Sequence, residues 1–246
     1  MPEPGKGTSG PEEGLYARRL KRGLDATGAA LLLVLLAPLL LGTALAVALA
    51  FGRPVLFRQS HAGWRGQVFT ILKLRSMRDP AWPGEPDSAR LTRFGRRLRA
   101  SGLDELPQLV NILRGEMSLV GPRPLPPAYT PLYTARQARR LAVRPGLLGP
   151  VTARGRNALP WEDRLEWDAR YVARVTLAGD IAIILASLAL LLRGRGATAP
   201  GHASSPAFTG ASRASRDSTP VVEAWGLMQR RNIPGEKAVS DPRHVS

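Results

Sequence analysis

The chain is 246 residues long, carries a formal net charge of +16 and contains no cysteine. That length suits one domain with tails and enough apolar content for a core, and the missing cysteine excludes disulfides, thiolate metal sites and thiol nucleophiles. The arginine-rich charge excess points to an anionic partner: lipid headgroup, nucleotide phosphate or nucleic acid.

Residues 1–17, rich in Pro, Gly, Glu and Ser, read as a disordered leader. Arg18, Arg19, Lys21 and Arg22 then precede an uncharged apolar run from Ala26 to Phe51. The run exceeds the roughly 20 residues of a membrane helix and is too long for the apolar region of a signal peptide, about 7–15 residues. Its far flank is basic too, with Arg53, Arg58, Arg65, Lys73, Arg75 and Arg78. Pro38, near the middle, removes a backbone donor and bends a helix. Two basic flanks and a central break fit a re-entrant hairpin with both ends cytoplasmic, and a proline-kinked span fits the same residues.

Val55–Phe57 and Val68–Leu72 have the composition of strands, and the glycines between them predict a short β-hairpin. Residues 79–88 read as a proline-rich loop. Leu91 to Leu113 reads as a helix broken at Ser101-Gly102. Leu91, Phe94 and Leu98 fall opposite the arginines, an amphipathic surface suited to the headgroup plane. Ala128–Leu141 reads as a basic helix and Trp161–Val175 as a helix with acidic and aromatic faces. The apolar stretch 181–192 is short for a span and reads as an interfacial or packed helix. Residues 194–246 turn to Ser, Pro, Gly, Ala and Arg and read as a disordered tail, dispensable for chemistry.

The adjacent carboxylates Asp104 and Glu105 lie among Arg96, Arg97 and Arg99, with Arg123 on a proline-stiffened turn downstream. Carboxylates that handle a phosphorylated substrate need such cations, because phosphate and carboxylate otherwise repel. An acidic pair alone is ordinarily a solvated helix face. A nucleic-acid partner has no recognition motif in its favour, and the basic residues border an apolar segment instead.

The ordered motifs Lys21-Arg22-Gly23-Leu24-Asp25, Phe57-Arg58-Gln59, Phe69 to Met77, Leu103-Asp104-Glu105-Leu106-Pro107-Gln108-Leu109, Asn111-Ile112-Leu113, Met117 to Pro124, Arg144-Pro145-Gly146 and Gly155-Arg156-Asn157 carry a resemblance. From Lys21 to Arg193 the chain resembles the bacterial sugar transferases, small monotopic polyprenyl-phosphate phosphoglycosyl transferases. The resemblance implies a mainly helical α+β fold: a membrane re-entrant helix over 18–52, a cytoplasmic catalytic domain over 53–193 with a short β-hairpin, and interfacial amphipathic helices around the site. It implies transfer of a sugar 1-phosphate from a nucleotide diphosphate sugar, with UDP as the expected nucleotide, to undecaprenyl or another polyprenyl phosphate. That is the first membrane step of exopolysaccharide, capsule or glycan synthesis, at the cytoplasmic face of the bacterial inner membrane; the oligomeric state is left open. Asp104 is then the nucleophile, and Glu105 holds Mg²⁺ and positions or deprotonates the acceptor.

Arg99 and Arg123 match family arginines and are candidates for phosphate, with lipid headgroup contact an equal reading for Arg99. Lys73 and Arg75 bind phosphate or serve a strand face or salt bridge. Arg156 and Asn157 would contact the nucleotide or support the site, while Asp25, Asp168 and Asp180 read as structural. The chain departs from the family pattern at Ala37 before Pro38, at His61 where a basic residue is usual, and at Leu148, Pro150 and Thr152-Ala153-Arg154. A different class of function, a catalytically inactive basic scaffold at the membrane surface, is the alternative.

Overall fold

The apolar run folds into two helices, α1 (Lys21–Leu35) and α2 (Ala37–Phe51), whose axes turn by 64° at the intervening Leu36. Pro38 occupies the first turn of α2, where a missing N–H is tolerated and the fixed φ suits a helix start, so the break falls just before it. The computed structural model describes residues 16–152, 159–192 and 207–210. Among them no single helix is long and apolar enough to cross a membrane, although the bent pair α1–α2 passes the length and composition test together. Much of this pair is bare: Leu31, Val34, Leu35, Leu41, Leu45 and Leu49 are all more than half exposed.

α1 is fixed to the rest of the chain by polar groups at its start. Arg22 donates to the carbonyls of Ile112 (2.6 Å) and Leu113 (2.9 Å). Asp25 accepts from Ser118 Oγ (2.6 Å) and from the Leu119 amide (3.2 Å). Lys21 donates to Asp180 at 2.5 Å. The Ile112 and Leu113 carbonyls and the Leu119 amide are backbone groups at element ends, satisfied here by charged side chains, and Lys21–Asp180 adds an ion pair.

β1 (Leu56–Ala62) and β2 (Val68–Leu74) form the expected antiparallel hairpin, with Leu56 opposite Leu74 and Ala62 opposite Val68. β1 runs on through His61 and Ala62, beyond the Val55–Phe57 strand expected. Next come a short helix α3 (Asp87–Arg90), then α4 (Arg93–Ser101), a 3₁₀ turn over Leu103–Glu105 and α5 (Gln108–Arg114). The helix break at Ser101-Gly102 is therefore present. The apolar stripe of α4 does not face outward as expected: Leu91 and Leu98 are buried, and Leu98 packs with Val47 and Leu74 against the end of α2 and of β2. The main core lies between α1, β2 and α5, built from Ala29, Phe69, Ile71, Leu109, Ile112 and Met117.

β3 (Ser118–Val120) pairs in parallel with β4 (Gly146–Leu148). The approach is so close that a Cβ on Gly146 would stand 2.0 Å from the Gly121 amide nitrogen, which is why the turn after Pro145 needs glycine. Between these strands, 127–142 is not the single helix expected. It consists of a 3₁₀ segment Pro127–Leu132, a short α6 (Ala135–Ala138) started by the Thr134–Gln137 capping box, and a further 3₁₀ turn. α7 (Trp161–Ala173) and α8 (Leu177–Leu192) complete the chain order. The one described part of the expected tail, 207–210, corrects that reading locally, because Phe208 is buried in a core cluster with Tyr133, Leu141 and Leu165.

Candidate active site

The acidic pair is presented by a forced turn. Thr92 caps α4 by accepting from the Gly95 amide at 3.1 Å. Gly102 ends the helix with φ of 70°, the left-handed conformation that favours glycine. The 3₁₀ turn that follows sets Leu103 toward the core, Asp104 into a cleft, and Glu105 beside the end of β2. Below the turn α5 is pinned by Asn111, which is fully buried. It donates to Thr70 O (2.8 Å) and Glu116 (2.6 Å) and accepts from the Leu72 amide (3.1 Å). α4 itself lies flush on the chain leaving β2, since a Cβ on Gly95 would come 1.9 Å from Ser76 O.

The cleft has a volume of about 720 Å³, and Lys73, Arg99, Asp104, Glu105 and Arg123 all line it. Lys73 shares a strand face with the buried Phe69 and Ile71, which brings its ammonium to Glu105 at 3.1 Å. Arg123 donates to the same Glu105 oxygen at 2.7 Å. Arg99 donates through Nε to Ser76 Oγ at 2.8 Å. Asp104 is 7 % exposed. Burial and then the Glu105 charge push its carboxyl up to about 6, against the opposing pull of Lys73, Arg99 and Arg123. The two neighbours thus differ: Glu105 is held by two cations, while Asp104 is desolvated and at neutral pH mostly an anion. Such a carboxylate is a competent nucleophile once cations neutralise the group that it attacks.

Five of the six expected cleft cations and acids therefore line one cleft together, and the sixth, Arg75, is turned to other partners. Arg75 also borders the cleft, but its guanidinium donates to the carbonyls of Phe51 and Gly52 at the end of α2 and to Asp79. It closes the C-terminus of the apolar helix pair, which is the salt-bridge alternative among the readings of Arg75. Arg156 and Asn157 lie outside the described residues.

His61 lines the same cleft. Burial lowers its pKa to about 4, with Lys73 and Arg123 adding to the effect and the bond to Gln59 O opposing it. The chain consequently has a neutral imidazole where a cation would otherwise add to the positive field.

A buried network joins Asp168, expected to be structural, to Arg140, which the sequence does not single out. Arg140 donates to Asp168 at 2.8 Å, to Tyr133 Oη at 2.9 Å and to the carbonyl of Arg123. It thereby fixes the backbone that carries a cleft cation. Burial pushes Asp168 up to about 6 despite this partner. The only signal available was a basic residue inside a stretch that looked like a solvated helix.

Among the described residues no group of three metal-ligating side chains occurs. The Glu105 carboxylate is a hard oxygen donor of the kind that Mg²⁺ takes, and one protein carboxylate can suffice for an ion that keeps waters and binds phosphate oxygens.

A family model described as bacterial sugar transferase matches residues 16–194. Over 194 residues the chain is 42 % identical to "Uncharacterized sugar transferase EpsL" of Bacillus subtilis, covering 78 % of this chain and 96 % of that one. Over 186 residues it is 45 % identical to "UDP-glucose:undecaprenyl-phosphate glucose-1-phosphate transferase" of Caulobacter vibrioides, covering 70 % and 69 %. It is 35 % identical over 196 residues to "Exopolysaccharide production protein ExoY" of Sinorhizobium fredii, covering 72 % and 87 %. The matched span runs from the base of the apolar helix pair to the end of α8 and encloses the whole cleft, so the chain is an enzyme that belongs to the bacterial sugar transferase family.

Proposed function

We propose that this enzyme transfers a sugar 1-phosphate from a nucleotide diphosphate sugar, with UDP-sugars the first choice, to polyprenyl phosphate in two displacements at Asp104. In the first, an Asp104 carboxylate oxygen attacks the β-phosphorus. The bond to the bridging oxygen breaks, and nucleoside monophosphate leaves with that electron pair. In the second, a phosphate oxygen of the polyprenyl phosphate attacks the same phosphorus and releases the carboxylate. The product is the polyprenyl diphosphate sugar. A bound Mg²⁺ would neutralise charge on the donor diphosphate oxygens.

The observation that carries the reading is the differing state of two neighbouring carboxylates within one cationic cleft. Lys73 and Arg123 hold Glu105 in place, and the same cations lie within electrostatic reach of Asp104 and so of a phosphate that it attacks. Arg99, on the last turn of α4, adds charge on the other side of the turn. Two steps at one nucleophile let a water-soluble donor and a lipid acceptor use the same cleft in turn.

The bare apolar surface of α1 and α2 supports insertion as a re-entrant pair, both ends on the cytoplasmic side, and this would hold the cleft at the membrane surface. The name of one relative supports exopolysaccharide synthesis as the setting, and that of another an undecaprenyl phosphate acceptor.

Asp104→Asn separates catalysis from an inactive scaffold. With donor, undecaprenyl phosphate and Mg²⁺, the unmodified enzyme should release nucleoside monophosphate and the variant should not. Undiminished release by the variant refutes the nucleophile, and no release by the unmodified enzyme across a panel of nucleotide sugars favours the scaffold.

A further inference from the structure

The aromatic residue of the C-terminal segment has a place in the site that composition hides. In 207–210 only Phe208 is buried, at 4 % exposure, while Ala207 and Thr209 are exposed. A single buried aromatic between exposed neighbours is the pattern of an anchor rather than of a packed strand or helix. Its ring meets three others: Trp161 at 5.5 Å between centroids, Tyr129 at 5.7 Å and Tyr133 at 5.9 Å. Tyr129 and Trp161 also stack edge to face on each other at 5.8 Å. Gly210 has a φ of 99°, a conformation that favours glycine, and a Cβ there would stand 3.9 Å from Leu132.

Two of these partners are cleft residues. Tyr129 and Trp161 line the same cavity as Asp104, and the Arg164 guanidinium, another lining group, stands 4.8 Å from the Trp161 ring. Phe208 itself does not line the cavity. It stands behind the aromatic part of the wall, at the junction of the Pro127–Leu132 segment with the first turn of α7. The third partner, Tyr133, accepts a hydrogen bond from Arg140, which also holds the Arg123 carbonyl. The anchor is therefore joined on one side to the aromatic wall and on the other to the support of a phosphate-facing cation.

We propose that Phe208 is a positioning residue for donor binding: the segment 207–210 docks in cis behind Tyr129 and Trp161 and fixes the aromatic wall that receives the non-phosphate end of the nucleotide sugar. The proposal rests on the cleft being the donor site. Flat aromatic faces suit a nucleobase or the apolar face of a sugar ring, and they bind well only if held in one orientation. Without the Phe208 ring, the Tyr129–Trp161 pair loses its shared packing partner and the wall gains rotamer freedom.

The test uses the full chain in detergent or nanodiscs, with nucleoside monophosphate release as the readout. Phe208→Ala should raise the donor KM at least threefold while kcat stays within about twofold, and Phe208→Leu, which restores apolar volume, should recover most of the loss. KM for the polyprenyl phosphate should not move. An unchanged donor KM in Phe208→Ala overturns the proposal, as does a fall in kcat alone. If Phe208→Ala does not fold, Phe208→Val decides instead: an unchanged donor KM refutes the positioning role, and a rise of at least twofold upholds it. Asp104→Asn run in parallel separates the two failures, since retained activity there removes the donor-site reading itself, whatever Phe208 does.

Discussion

Acidification should slow the first displacement at Asp104 far above the pH at which an ordinary aspartate titrates. With a carboxyl pushed up to about 6 by burial and by Glu105, the reactive anion falls from about nine-tenths of the population at pH 7 to about one-tenth at pH 5. An aspartate with the reference value of about 3.9 would remain about nine-tenths ionised at pH 5. The sign is that of a base: raising pH restores activity. The expected outcome is an approximately tenfold fall in rate between pH 7 and pH 5. The assay must omit the acceptor, because a phosphate monoester has its own second pKa near 6. Rapid-quench measurement of the nucleoside monophosphate burst then reports the first step alone, with circular dichroism to check that the fold persists at each pH. A burst rate that is flat between pH 7 and pH 5 would refute the assignment of a desolvated Asp104 as nucleophile.

Two further perturbations probe the supports of the site. Arg140→Leu should destabilise by about 3–5 kcal/mol, because Asp168 would be left buried without its cation. The double variant Arg140→Leu, Asp168→Leu should recover a large part of that loss in chemical unfolding, and strict additivity of the two would contradict the pairing. Asn111→Ala should cost about 2–4 kcal/mol, since it orphans the Thr70 carbonyl and the Leu72 amide on β2. It should also lower kcat by loosening the turn that carries Asp104, and an unfolding midpoint within a degree of the unmodified protein would count against it.

Local pattern sufficed where elements are made by local rules. The β1–β2 hairpin follows from β-branched and aromatic runs around glycines, and the α4–α5 break follows from Ser101-Gly102 ahead of the acidic pair. Lys73, Arg99 and Arg123 were legible because phosphate chemistry needs cations beside Asp104 and Glu105. The helix expected over Ala128–Leu141 failed because Pro127 and Pro131 and the capping Thr134 divide that stretch into short turns. β3 and β4 are three residues each and pair across a long sequence separation, so no periodicity could reveal them. The sequence leaves Arg75 open between phosphate and a salt bridge, and in the fold it pairs with Asp79 and the carbonyls at the end of α2. Phe208 is a lone aromatic among small and polar residues, and only the fold shows the aromatic cluster waiting for it.

The central claim is a covalent phosphosugar on Asp104. Incubating the enzyme with nucleotide sugar and Mg²⁺ but no acceptor, then quenching and mapping peptides by mass spectrometry, tests it most directly. The account predicts one sugar-phosphate adduct on the peptide holding Leu103-Asp104-Glu105, absent in Asp104→Asn and discharged by added polyprenyl phosphate. An adduct on another residue, or full turnover by an enzyme that never carries one, would contradict it.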